Sequence, residues 1–201
     1  MNNIKIRVAV SEDAAALLKI YAPYVQKTAI TFDYVVPTLE EFTGKITGLL
    51  KKYPVLVAES ENKIVGYAYA DCFKNKAAYD WAVETTIYVD ENCKKMGIGK
   101  RLYEELEEIL KQQNITNLNA CIAYTDEEDE HLTNASVRFH EKLGFRVVGQ
   151  FRKCGYKFNR WYHMVWMEKH IGEHVACQPK VVPFEKWEKS MGNMPKFIDH
   201  N

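Results

Sequence analysis

The sequence predicts an α/β protein built on one mixed sheet of about seven strands with helices on its faces. Three observations predict it. Short runs alternate apolar residues at period two, as Val83, Thr85, Ile87 and Val89 do. Other runs carry apolar residues at helical spacing, as Ile98, Leu102, Leu106, Ile109 and Leu110 do. The order of the two kinds is strand, helix, helix, three strands, helix, strand, helix, two strands, which suggests helices laid on a sheet.

Taken in order, Ile4, Ile6 and Val8 alternate with Lys5 and Arg7 and predict the first strand. Ser11-Glu12-Asp13 is a helix start with an acidic first turn, and Leu17, Ile20, Tyr21 and Tyr24 form the buried stripe that follows. Pro23 is expected to kink or end that helix. Residues 28–36 read as a loop with Phe32 as its large apolar residue. Thr38 with Glu41 three residues on is a capping box, and Leu39, Phe42, Ile46, Leu49 and Leu50 carry a second helix.

Residues 54–59 and 64–72 are apolar runs about the turn Glu61-Asn62-Lys63 and predict a hairpin. A loop over 73–78 leads to the strand 79–89. After the long helix come a strand over 118–124 and an acidic run over 126–130, which lacks spaced oxygen ligands and reads as a solvated loop. A short helix over 133–143 is closed by Gly144, and strands follow over 145–151 and 161–167. Residues 1–170 therefore read as one domain. Residues 171–201, with two prolines and no sustained period, read as a tail that wraps the domain or is partly disordered.

Composition narrows the function classes. With 201 residues, 47% of them apolar, the chain is long enough for a sizeable core. Lys plus Arg and Asp plus Glu are 27 each, so no global charge favours nucleic acid or an anionic membrane surface. No apolar run approaches the roughly 20 residues of a membrane span, and the N-terminus lacks the apolar region of a signal peptide. Five widely spaced cysteines without a CxxC point to reduced thiols in a cytoplasmic protein, with no metal site.

The chemistry concentrates in Lys94-Lys95-Met96-Gly97-Ile98-Gly99-Lys100, between a strand and an amphipathic helix. The first N–H groups of a helix have no partner within it, and the helix dipole makes that end partly positive. Glycine lets the backbone approach a phosphate, and three lysines add charge. The plainer reading is a solvated basic turn. A Walker A loop is ruled out because Arg101 follows Lys100 where Ser or Thr is needed. A dinucleotide fingerprint is ruled out because Leu102 stands where its third glycine belongs.

Lys94-x-x-Gly97-x-Gly99 in this setting resembles the pyrophosphate loop of the GNAT N-acetyltransferases, with Lys94 in place of Gln or Arg. Two further segments share the resemblance: 136–145, ending His140-Glu141-Lys142-Leu143-Gly144-Phe145, and 149–161, with Gly155, Tyr156, Lys157, Phe158 and Trp161. Together with the strand 79–89, they are similar to the phosphinothricin and methionine-sulfoximine acetyltransferase branch. The resemblance implies the GNAT fold, a twisted and mostly antiparallel sheet. It also implies direct acetyl transfer from acetyl-CoA to the amine of a small amino acid or analogue in a ternary complex, without a metal.

Such a transfer needs a base, since an amine of pKa about 8 to 10 is mostly protonated at neutral pH. Glu84 is the candidate. It lies on the strand face opposite Val83 and Thr85, and the resemblance puts a catalytic glutamate there; a strand-end glutamate facing solvent is the alternative. His140 is the second candidate, near the thioester sulfur by resemblance, against the alternative of a histidine packed on the sheet. His131, His163, His170, His174 and His200 have no motif partner.

By resemblance, backbone groups of Ile87, Tyr88 and Val89 pair with the pantetheine arm. Lys94, Lys95, Met96, Gly97, Ile98, Gly99 and Lys100 surround the pyrophosphate. Thr133 holds the place of a family asparagine and Asn134 is shifted by one, so that pair is a further expected cofactor contact. Lys74 and Lys76 stand where the family carries carboxylate-binding arginines, and Phe32 and Tyr79 line the side-chain pocket. Lysine lacks the bidentate guanidinium fork, which bears on substrate preference. Two other readings stay open: acetylation of another amine, such as a peptide N-terminus or polyamine, and an acyl-CoA-binding module without catalysis. A homodimer through the aromatic-rich last strands is a further expectation.

Overall fold

The structure, a computed structural model, describes residues 4–190. Seven strands form one sheet: β1 Lys5–Val8, β2 Val55–Ser60, β3 Lys63–Cys72, β4 Ala82–Val89, β5 Asn117–Tyr124, β6 Arg146–Lys157 and β7 Arg160–His170. Their order across the sheet is β1-β2-β3-β4-β5-β7-β6. Every neighbouring pair is antiparallel except β4–β5. The helices are α1 Ala14–Lys27, α2 Leu39–Leu49, α3 Ile98–Gln112, α4 Ala135–Lys142 and α5 Phe184–Ser190.

Alternation along β2 shows how the layers arise. Leu56 and Ala58 enter one core with the apolar face of α3, while Val55 and Val57 enter another with α1 and α2. Both faces of the strand are covered, which explains its nearly continuous apolar run. Along β4, Val83 joins the α3 side, whereas Tyr88 packs on Tyr21 and Tyr24 of α1. Period two therefore puts Glu84 and Thr86 on the α1/α2 face with Tyr88. Tyr69 pairs with Thr86 and Asp71 with Glu84 across β3 and β4.

The parallel pair is short. Ala82–Glu84 align with Asn117–Asn119, and the ladder then stops. Asn119 Nδ2 donates to the Val83 carbonyl at 3.1 Å, and Thr85 Oγ1 lies 3.2 Å from the Asn119 carbonyl. Beyond these bonds the strands separate, and a cavity lies between them.

Thr38 and Glu41 exchange the capping-box bonds expected of them, at 3.2 and 2.8 Å. Pro23 does not end α1. The helix runs on to Lys27 because Tyr24 and Val25, just past the proline, are buried against the sheet. The last two strands reach further than the apolar runs suggest, meeting at Phe158 and Asn159. Both residues have positive φ, 52° and 56°, as a tight two-residue hairpin turn demands.

Residues 171–190 lie across the C-terminal end of α3. Phe184 and Trp187 join the core on the α3 side, and Gln113 Nε2 donates to the carbonyls of Lys52 and Val182. The remainder of the expected tail, residues 191–201 with His200, lies outside the described residues. Among the described residues, no helix is long and apolar enough to cross a membrane, and no three His, Cys, Asp or Glu side chains are grouped to hold a metal ion.

Candidate active site

The fork between β4 and β5 opens into a cavity of about 500 Å³. Glu84 to Tyr88 line one wall and Ala120 to Ala123 the other; Phe32, Tyr103 and His140 close it. Glu84 is half-buried. Burial pushes its carboxyl above the usual range; Lys74 draws it back, Asp71 raises it further and Lys45 opposes that. A carboxylate so placed is a stronger base than one in water.

His140 is buried on the last turn of α4, with both ring nitrogens occupied. Nδ1 lies 2.8 Å from the Ser136 carbonyl, and Nε2 lies 2.8 Å from the Tyr103 hydroxyl. Burial lowers its pKa against the opposing pull of the Ser136 bond. The Tyr103 hydroxyl also lies 3.1 Å from Thr85 Oγ1, and burial holds its pKa well above the ordinary value. The polar chain His140–Tyr103–Thr85 thus ends at the fork of the sheet.

The glycine loop lies at the end of β4. Gly97 stands before α3 with φ 77°, and no side chain caps the helix. Nothing lies within 4 Å of a Cβ built on Gly97, so its glycine is required by backbone conformation alone. Gly99 is favoured for a different reason: a Cβ there would lie 3.1 Å from Phe139 Cζ, so the Phe139 ring of α4 would have to give by a few tenths of an ångström. Lys94, Lys95, Met96 and Lys100 are exposed around this end. Lys95 takes positive φ, 64°, and the Lys94 ammonium lies 5.4 Å from the centroid of Tyr24.

Other expected residues are placed as follows. Val89 is already engaged through its carbonyl, which accepts from the Tyr24 hydroxyl. Asn134 clasps the Thr125 backbone through both amide atoms, at 3.2 and 2.8 Å, and Thr133 is exposed beside it. Phe32 lines the cavity and packs flat on Gly155, where any Cβ would overlap its ring. The buried Lys157 ammonium donates to the carbonyls of Thr28 and Thr31, at 2.8 and 2.9 Å, and so ties the Phe32 loop to β6. Lys74, Lys76 and Tyr79 stand outside the cavity wall. The Lys74 ammonium rests over Phe73 and Trp166, at 5.0 and 5.2 Å from their centroids.

Two cavity residues carried no sequence signal of function. Tyr103 reads as part of the apolar face of α3, and Lys45 reads as a surface lysine of α2. A lysine flanking the buried stripe Phe42, Ile46 and Leu49 was the available hint.

The sequence matches the family model described as an acetyltransferase (GNAT) domain over residues 6–166. It is 35% identical over 173 residues to a phosphinothricin N-acetyltransferase of Streptomyces coelicolor, covering 84% of this chain and 96% of that one. It is 30% identical over 172 residues to an L-methionine sulfoximine/L-methionine sulfone acetyltransferase of Salmonella typhimurium, covering 85% and 96%. The fold superposes with a TM-score of 0.81 on a GNAT superfamily phosphinothricin acetyltransferase from Sinorhizobium meliloti in complex with acetyl-CoA, at 29% identity, covering 92% of this chain and 98% of that one.

Proposed function

We propose, from the premise that this chain belongs to the GNAT acetyltransferase family, that its acceptor is a small amino acid or analogue of the phosphinothricin or methionine sulfoximine type, acetylated in one ternary complex. The chain is an acetyl-CoA-dependent N-acetyltransferase. The observation that carries the assignment of roles is the shared cavity: Glu84, the Tyr103 hydroxyl and the edge of β4 that β5 abandons all face one space.

The residues fit the co-substrate. The uncapped N-terminus of α3, with Gly97 and the exposed Lys94, Lys95 and Lys100, suits a pyrophosphate. The free edge of β4 beyond Thr85, at Ile87, suits an extended pantetheine arm; the backbone groups of Tyr88 turn the other way, toward Tyr67 of β3. Val89 contributes through its N–H side, its carbonyl being held by Tyr24. Thr133 and Asn134 support the α4 end of this groove. Acetyl-CoA supplies an activated acetyl thioester. Glu84, directly or through a water, takes the proton from the acceptor ammonium so that its lone pair is exposed. Tyr103, backed by His140, presents a hydroxyl near the space where the thiolate leaves. Phe32 covers the acceptor, and Lys74, Lys76 and Tyr79 form the rim by which it enters.

Acetyl-CoA-dependent thiol release tests this reading, with phosphinothricin, methionine sulfoximine, common amino acids and polyamines as acceptors. Turnover confined to the amino-acid group supports it, and turnover confined to polyamines overturns the acceptor. Glu84→Gln should lose turnover while acetyl-CoA still raises the melting temperature. Unchanged turnover removes Glu84 as the base.

A homodimer is the matching proposal for the exposed apolar residues of the last hairpin, Val147, Val148, Phe151, Tyr156 and Trp161. Light scattering at micromolar concentration decides it. A cytoplasmic location is proposed with it, since all five cysteines stand as free thiols.

A further inference from the structure

Lys45 flanks the buried stripe of α2, where a lysine ordinarily runs out to water. Lys45 is itself exposed along α2, but its ammonium reaches in to lie 2.9 Å from the Tyr69 hydroxyl and 5.0 Å from that ring's centroid. Tyr69 and Asp71 stand on β3 opposite Thr86 and Glu84, on the sheet face that α2 covers. Lys45 is therefore placed over the same row of residues as Glu84, and it lines the same cavity. Desolvation works against its charge, but Tyr69, Asp71 and Asp33 outweigh it and hold the ammonium protonated. An ammonium has three donors, and Tyr69 takes one of them. Lys74 and Lys76, by contrast, stand outside the cavity wall, with Lys74 over two aromatic rings.

We infer that Lys45 anchors an acidic oxygen group of the acceptor, beside the amine that Glu84 deprotonates. The inference rests on the amino-acid acetyltransferase reading above and adds to it a specificity-determining cation on α2. The acidic group is either the α-carboxylate or a side-chain oxyacid. Both offer the same chemistry to an ammonium, and the acceptors chosen below tell them apart.

The test measures kcat and KM for the wild type, Lys45→Met, Lys45→Arg and Lys74→Met with three acceptors. Phosphinothricin carries a carboxylate and a phosphinate, methionine sulfone carries the carboxylate alone, and methionine sulfone amide carries neither. Lys45→Met should raise KM about 10- to 100-fold for an acidic acceptor, with kcat within about threefold, because a charge-assisted bond is lost from binding. The amide should be unaffected, and Lys45→Arg should recover most of the loss. A loss on both acids assigns Lys45 to the α-carboxylate, and a loss on phosphinothricin alone assigns it to the phosphinate. The inference is overturned if KM is unchanged in Lys45→Met, if the amide suffers equally, or if only Lys74→Met raises KM. Failure of the wild type to acetylate any of the three would sink the amino-acid reading itself, and the anchor with it.

Discussion

The Tyr103 hydroxyl and His140 Nε2 lie 2.8 Å apart in the interior, and the direction of that bond is fixed from the other side of the ring. The Ser136 carbonyl can only accept, so Nδ1 carries the hydrogen of the neutral imidazole, and Nε2 accepts from Tyr103. His140 is thus held neutral with its lone pair committed to Tyr103, whose one hydrogen is spent on that bond, so the tyrosine oxygen meets Thr85 at the fork as an acceptor.

Tyr103→Phe removes that donor and leaves Nε2 buried without a partner. The expected cost is about 1 to 3 kcal/mol of stability, measured by urea denaturation at pH 7.5. The cost also depends on pH. The folded pKa of His140 is depressed, so its contribution is present above the unfolded pKa and fades as pH falls and the unfolded histidine takes up a proton. A Tyr103→Phe protein as stable as the wild type at both pH 7.5 and pH 5 would show the bond to be worth nothing.

Glu84 predicts a pH profile. Burial raises its pKa, so kcat/KM should climb with pH along a limb displaced above the ordinary glutamate range, and Glu84→Gln should abolish that limb along with most of the activity. Stability has the opposite sign. A carboxyl whose folded pKa is raised favours the folded state at low pH and loses that contribution as pH rises through the folded pKa. Glu84→Gln should therefore melt at or above the wild-type temperature at pH 7.5. A marked loss of stability there would mean that Glu84 is structural.

The two loop glycines should fail differently. Gly97→Ala forces a side chain onto φ 77° and should cost about 1 to 2 kcal/mol of stability, with weaker acetyl-CoA binding because the N–H groups of the α3 end shift. Gly99→Ala pushes a methyl against the Phe139 ring, so Phe139→Leu should restore much of what it loses. The same partner change should do nothing for Gly97→Ala. Melting temperatures of the three single and two double variants, with and without acetyl-CoA, separate the two cases.

These glycines show what could be read in the sequence and what could not. The strand, the loop and the helix stand where periodicity put them, because each has its own pattern and the turn residues punctuate them. That Gly99 answers to Phe139, forty residues on, depends on how two helices meet, which no local pattern encodes. The same limit hid Lys45 and Tyr103, since each looks ordinary on its own helix and becomes part of a cavity only when α2 and α3 cover opposite faces of one sheet. Glu84 could be read because a lone charge within an alternating strand is conspicuous. Pro23 does not end its helix, because its local preference is set against the burial of Tyr24 and Val25.

Gly44, in the middle of α2, has no such duty. Nothing lies within 4 Å of a Cβ built there, and its φ is not positive. Alanine should therefore stabilise the protein by about 0.5 to 1 kcal/mol, by narrowing the unfolded ensemble and favouring the helix. A lowered urea midpoint for Gly44→Ala would show that this face of α2 is in use.

Phe184 is 1% exposed, on a segment that follows the last strand of the sheet. Its N–H donates to the Lys52 carbonyl at 3.0 Å, and Gln113 reaches the same carbonyl and that of Val182. The ring and Trp187 stack beside the C-terminal end of α3. Removing the ring leaves a cavity that the surrounding strands cannot fill, so Phe184→Ala should cost about 3 kcal/mol or more. The glycine loop lies at the other end of α3, whose 15 residues place the two ends about 22 Å apart. Acetyl-CoA affinity at 25 °C should therefore change by less than about twofold while the melting temperature falls by several degrees. Loss of affinity without loss of stability would reverse that assignment and make the C-terminal segment part of the cofactor site rather than a brace for the core.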